Sequence, residues 1–137
     1  VLTIDQETYD AIVAHARRDH PDEACGMVAG VGGRATRVIE MTNAARSPTF
    51  YEMDSMEVLR TLRAMDDADE ELLAIYHSHT ATEAYPSRTD IAIAGFPEAH
   101  YVLVSTRESD SVEFRSFRID DGQVSEEQVE VVPRRPD

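Results

Sequence analysis

Hydrophobic residues fall into two periods along this chain. Tyr9, Ile12, Val13 and Ala16 recur at helical spacing behind Asp5, and Val58, Leu59, Leu62 and Met65 do so behind Asp54. An acidic residue just before such a stripe accepts orphan N–H groups, so both read as capped amphipathic helices, with Glu57 placed for a capping box. The first helix follows a short strand, Leu2–Ile4, and ends at Pro21; the second runs from Ser55 to about Asp69. The acidic cluster at Asp66–Glu71 reads as a solvated turn. Extended runs fill the rest. Ala24–Val31 and Ala35–Met41 flank the turn signal Gly32-Gly33, and Glu23 stands at the start of that hairpin. Leu72–Tyr76 is unbroken and apolar, the pattern of a central strand covered on both faces. After it come a loop from Thr80 to Pro86, a short helix Arg88–Ala94 stopped by Gly95 and Pro97, and a buried strand Tyr101–Val104. A hairpin, Val112–Ile119 with Gln123–Val132, turns at Asp120-Asp121-Gly122.

The order β-α-β-β-α-β-α-β-β-β predicts an α/β protein of α+β-like character, one mixed sheet packed with helices. A doubly wound parallel sheet would need strict alternation of strand and helix. Residues 1–132 suffice for a single domain with its own core, and Pro133–Asp137 reads as a frayed tail. Phe50–Met53 reads as a short extended piece. The Asn43–Thr49 loop, with Ser47-Pro48, is open to two readings, an edge for an extended ligand or an ordinary connection.

Charge narrows the partners. The chain carries 27 acidic against 13 basic residues, all of them arginine, for a net charge of −14. Such a surface repels phosphate backbones and anionic lipids, so neither nucleic acid nor membrane is an expected partner. No long apolar run and no basic segment leading into an apolar one is present, and Cys25 is the single cysteine. These features predict a cytoplasmic protein without disulfides. Cys25 reads as a small buried hydrophobe, and His15, His20 and His100 lack ligand spacing.

Candidate chemistry concentrates at His77-Ser78-His79. On a strand, residues i and i+2 share a face about 6.6 Å apart, so both imidazoles can reach one ion. Asp90 can return a third ligand, the set with which hydrolytic zinc keeps a fourth position for water. Ser87-Arg88-Thr89-Asp90 is also a helix start, with Ser87 as N-cap and Asp90 at the third helical position. The readings agree, because a first turn facing the ion would hold Asp90 rigidly and set the Ser87 hydroxyl over the site. Tyr85 and Pro86 could shape the entrance or simply pack the loop.

The whole run, His-Ser-His, seven residues, Ser, two residues, Asp, resembles the JAMM (MPN+) zinc metalloprotease motif. The Pro21–Gly30 segment, with Glu23, Cys25, Gly26 and Gly30, resembles that family's upstream Pro-x-Glu-x-Cys-Gly-x-x-x-Gly pattern. The stretch Tyr76–Ser87 looks most like the small bacterial Mec-type branch. The resemblance implies an MPN fold and one zinc ion per chain with a bound water, held by His77, His79 and Asp90. It implies Glu23 as acid/base and Ser87 as donor to the oxyanion. It further implies a ubiquitin-like sulfur-carrier protein as partner, cleaved after its C-terminal Gly-Gly tail to release cysteine from a carrier–cysteine adduct. Processing of a precursor carrier, a deubiquitinase-like isopeptidase activity, and a non-catalytic scaffold of the same fold remain as alternatives.

Overall fold

A computed structural model describes residues 1–133; the expected tail lies, from residue 134 on, outside the described residues. The elements are β1 (Leu2–Asp5), α1 (Gln6–Asp19), β2 (Cys25–Val31), β3 (Arg34–Met41), α2 (Ser55–Asp67), β4 (Glu71–His79), α3 (Arg88–Ile93), β5 (His100–Ser105), β6 (Glu113–Asp120), β7 (Gln123–Glu127) and β8 (Val129–Val132). The main sheet has the order β3-β2-β4-β5-β6-β7, and every pair in it is antiparallel except β4 with β5. That parallel pair needs a crossover, and α3 lies within it.

The helices divide between the two faces of the sheet. Ile12 and Ala16 of α1 pack with Val28, Ala74, Tyr76, Val102 and Val104. On the other face Val58 and Leu62 of α2 cover Met27 and Ala29, while Ile91 of α3 joins Ile75, Leu103 and Phe117. Because side chains alternate along a strand, Tyr76 and Ser78 belong to the α1 face, and Ile75, His77 and His79 to the α2–α3 face. Burial on both faces explains why Leu72–Tyr76 is apolar throughout. Gly26 pairs with Tyr76, and a Cβ there would stand 2.3 Å from the Tyr76 hydroxyl oxygen. Only glycine leaves that ring room to reach Nδ1 of buried His15, 2.6 Å from the hydroxyl.

Both expected long helices are present and capped. Asp5 accepts from Thr8 N–H, and Asp54 from the N–H groups of Met56 and Glu57. α2 ends at Asp67 instead of Asp69, since Asp69 takes a left-handed φ of 56° and Glu70 N–H returns to the Met65 carbonyl. The acidic cluster is more than a solvated turn. Glu70 pairs with Arg37 at 2.8 Å, and Glu71 accepts from Gly33 N–H at 2.9 Å, so its end clamps the β2–β3 hairpin.

The C-terminal arm differs from expectation. Instead of one strand through Val132, it breaks at Gln128, whose carbonyl accepts Leu2 N–H; Val129–Val132 then pairs in parallel with β1. Leu2 and Ile4 are buried against α1, and their backbone groups need partners that β7, at the far edge of the main sheet, cannot supply. The described residues therefore form two sheets, of six and two strands, where one was expected. Among the described residues no helix is long and apolar enough to cross a membrane.

Candidate metal centre

β4 delivers His77 and His79 at its C-terminal end, both buried. α3 begins opposite them. Ser87 Oγ accepts Asp90 N–H at 3.1 Å while Asp90 Oδ2 accepts Ser87 N–H at 2.8 Å, a reciprocal cap that fixes the carboxylate. The same Oδ2 lies 3.1 Å from Nε2 of His77 and 3.1 Å from Nε2 of His79. All ligand atoms of the three residues fall within 4.8 Å of one another.

The arrangement suits a cation. Nδ1 of His79 stands 2.9 Å from the Glu83 carbonyl, which can only accept, so Nδ1 carries the ring hydrogen. In the neutral ring, Nε2 is then a bare lone pair 3.1 Å from a carboxylate oxygen. Two acceptors keep that distance only with a proton or a metal ion beside them. His77 Nε2 makes the second half of the case. It is buried and, despite its closeness to Asp90, lacks the alignment of a hydrogen bond to any group. Ligand atoms around a tetrahedral zinc with bonds near 2.0–2.1 Å sit roughly 3.3 Å apart, close to the observed spacing. The donor set and the orphaned nitrogen therefore fit a zinc-type ion.

Electrostatics point the same way. Burial lowers the His77 pKa and keeps that imidazole neutral. Burial alone would raise the Asp90 pKa, but the two imidazoles and Ser87 N–H overcome it and hold the carboxyl well below the usual range. A neutral imidazole and an ionised carboxylate are the states a cation binds. His79 is raised, the Asp90 carboxylate and the Glu83 carbonyl outweighing the opposing effect of burial.

Glu23 comes from elsewhere. β2 begins at Cys25, so Glu23 stands just before the strand, 4% exposed, two residues from Cys25 and hence on the His77 face. Its N–H donates to the Ser47 carbonyl at 2.9 Å, and its carbonyl accepts from Asn43 Nδ2 at 3.0 Å. Ala24 N–H donates to Ser78 Oγ at 2.8 Å, so the residue between the two histidines staples the Glu23 segment to β4 from the α1 face. Burial pushes the Glu23 pKa up to about 7, with His79 opposing and Asp90 reinforcing the shift.

Asn43, Tyr51 and Ser78 join this site without having been singled out by sequence pattern. Asn43 uses its whole amide, accepting from Ala45 and Glu52 N–H and donating to the carbonyls of Glu23 and Phe50. This makes 43–52 an organised wall. Tyr51, 8% exposed, stacks on His77 at 4.4 Å between ring centroids. A usable signal was an Asn just past a strand end with Ser-Pro following; nothing in the pattern announced Tyr51. Cys25 is fully buried with Met41 and Tyr51, as its type suggests, and burial pushes its thiol up to about 12. His15, His20 and His100 bond to Tyr76, Thr106 and Glu127, away from the cluster. Tyr85 packs edge-on against Phe117 with Arg115 beside it, which favours loop packing over a gate.

Comparison with known proteins places this geometry in a family. Residues 5–120 match the family described as prokaryotic homologs of the JAB domain. The CysO-cysteine peptidase of Mycobacterium tuberculosis is 63% identical over 134 residues, covering 96% of this chain and 92% of that protein. A probable TtuB-protein conjugate cleaving protease of Thermus thermophilus is 36% identical over 90% of this chain and 79% of its own length. Among solved structures, protein DSY2949 of Desulfitobacterium hafniense superposes with a TM-score of 0.85 at 31% identity, over 98% of this chain and 94% of that one. With the His-His-Asp cluster, the buried glutamate and a mixed sheet between helices, the chain belongs to the prokaryotic JAB family of JAMM/MPN hydrolases.

Proposed function

We propose that this protein is a zinc-dependent amide hydrolase acting after the C-terminal glycine of a ubiquitin-like sulfur carrier, releasing cysteine from a carrier–cysteine adduct. The observation that carries the reading is the buried His77–His79–Asp90 cluster, whose donor set fits a metal ion, with the Glu23 carboxyl raised toward neutrality beside it. The activity named for the M. tuberculosis relative supports the choice of bond. Residues 1–132 carry it as one domain, in the cytoplasm, with neither nucleic acid nor membrane as partner.

Zinc held by His77, His79 and Asp90 would lower the pKa of water to roughly 7 and polarise the scissile carbonyl. Glu23 accepts the proton of the attacking water and passes it to the amide nitrogen, so that N–H forms as C–N breaks. A carboxyl with a pKa of about 7 suits both halves of that transfer. Ser87 Oγ is already an acceptor for Asp90 N–H, which leaves its own hydrogen to donate to the oxyanion. Tyr51 shields His77 from water. The products are a carrier ending in a glycine carboxylate and a free amino acid.

The test is intact-mass analysis of a sulfur carrier bearing a C-terminal cysteine, incubated with zinc-loaded protein and, in parallel, with Glu23→Gln. Loss of one cysteine residue's mass with the native chain alone is expected. The T. thermophilus relative, named for cleaving protein conjugates, favours a second reading as an isopeptidase. Cleavage of a carrier–lysine isopeptide with the cysteine adduct left intact would establish that reading instead.

A further inference from the structure

At its C-terminal end β4 serves two purposes in alternation. His77 and His79 face Asp90, while Ser78, between them, accepts Ala24 N–H at Oγ and donates its own N–H to the Ala24 carbonyl at 3.0 Å. Thr80 follows one residue past the end of the strand and is 9% exposed. Its hydroxyl donates to the Pro48 carbonyl at 2.9 Å, which joins the ligand strand to the 43–52 wall. The base from which Thr80 projects is itself anchored. The His79 carbonyl, in the peptide that links His79 to Thr80, accepts Thr106 N–H from the end of β5 at 3.0 Å.

Pro48 carries this constraint to Glu23. One peptide back, the Ser47 carbonyl is the acceptor of Glu23 N–H. Between the two carbonyls the backbone has little freedom, because the peptide unit is planar and the proline ring fixes φ, so that ψ of Pro48 is the one soft torsion left. A hydroxyl that pins the Pro48 carbonyl therefore also limits where the Ser47 carbonyl can go, and Glu23 N–H follows it. The next amide, Ala24 N–H, is held separately by Ser78.

Resting on the proposed hydrolysis, we infer that Thr80 is a positioning residue: through Pro48 and Ser47 it sets Glu23 relative to the ligands that His77 and His79 supply. Ser78 holds the same segment from the α1 face, so the strand that carries two ligands also carries two clamps for the acid. A carboxyl that accepts and returns a proton works only within hydrogen-bond reach, and a misplacement of about 1 Å can cost ~100-fold. The Thr80 side chain bonds to the loop and to no ligand residue. Its loss should therefore appear in kcat and leave the metal in place.

The experiment measures steady-state cleavage of a carrier–cysteine adduct by the zinc-loaded protein and three variants. Thr80→Val keeps the shape and removes the donor, Thr80→Ser keeps the donor, and the third combines Thr80→Val with Glu23→Gln. Thr80→Val should lower kcat about 10-fold with KM and zinc content unchanged. Thr80→Ser should stay within about threefold of the native rate. Added to Glu23→Gln, Thr80→Val should change the residual rate less than about twofold, since a residue acting through the Glu23 carboxylate then has nothing left to position. Amide hydrogen exchange reads the clamp without turnover: in Thr80→Val, Glu23 N–H should exchange roughly 10-fold faster while Ala24 N–H keeps its native rate. Unchanged exchange at Glu23, failure of Thr80→Ser to restore kcat, loss of zinc from Thr80→Val, or an equal fall of kcat in the Glu23→Gln background would each overturn the positioning role and leave the hydrolase intact. Failure of the native protein to cut the adduct would remove the hydrolase reading, and the catalytic role of Thr80 with it.

Discussion

The proposed ligand cluster and the acid beside it are built in opposite ways. His77, His79 and Asp90 come from one continuous stretch, and near neighbours in sequence hold two of them: Asp90 by Ser87 N–H, His79 by the Glu83 carbonyl. Glu23 is held from afar, by Asn43, Ser47 and, 54 positions from Ala24, Ser78. A locally built cluster should survive damage to the 43–52 loop, whereas the placement of the acid should not. Under the proposed roles, metal binding and proton transfer should therefore be separable in this molecule.

The sharpest break of that comparison is at the acid itself. Glu23→Gln should retain stoichiometric zinc by elemental analysis yet lose about 10³-fold in kcat, the usual worth of a positioned acid/base. Ser87→Ala belongs to both halves. It removes a helix cap and the proposed oxyanion donor, so steady-state kinetics should show roughly a 100-fold fall in kcat, and urea unfolding a loss of about 1 kcal/mol. Asn43→Asp keeps the acceptor for Ala45 and Glu52 N–H but sets an oxygen against the Glu23 and Phe50 carbonyls. Here kcat should drop on the order of 10-fold with KM and zinc content unchanged. Loss of zinc from this variant would show that the loop supports the ligands as well.

The smallest effect concerns Cys25, at the junction of the two halves. Burial raises its thiol to about 12 in the folded chain, whereas an unfolded thiol titrates near ~8.5. The folded state therefore binds the extra proton between these values. The contribution to stability is complete below the unfolded pKa and is lost as pH rises through the folded one. The urea midpoint should fall between about pH 8.5 and 10.5 by an amount that Cys25→Ala removes. Iodoacetamide at about pH 8 should label Cys25 only after unfolding.

How much of this was legible depends on the range of the interaction. The reciprocal cap at Ser87 and Asp90 is a matter of four residues, and the shared face of His77 and His79 follows from the pleat. The break at Gln128 was not legible, because Gln123–Val132 has strand-like composition throughout. Its division between two sheets depends on β1, buried at the other end of the chain. Asn43 went unnoticed for a similar reason. Its four hydrogen bonds join groups from Glu23 to Glu52, and a loop sequence shows only that a turn is possible there.

The amino-acid sequence by itself determined that His77, His79 and Asp90 could cluster, and it determined the capped helices and the covered central strand, since pleat, helical period and capping act over a few residues. Tertiary structure decided what those parts could do together. It drove the Glu23 carboxyl to a pKa of about 7 by burial and laid Tyr51 over His77. Desolvation and ring stacking are properties of the packed molecule, produced by contacts between segments that sequence spacing does not relate.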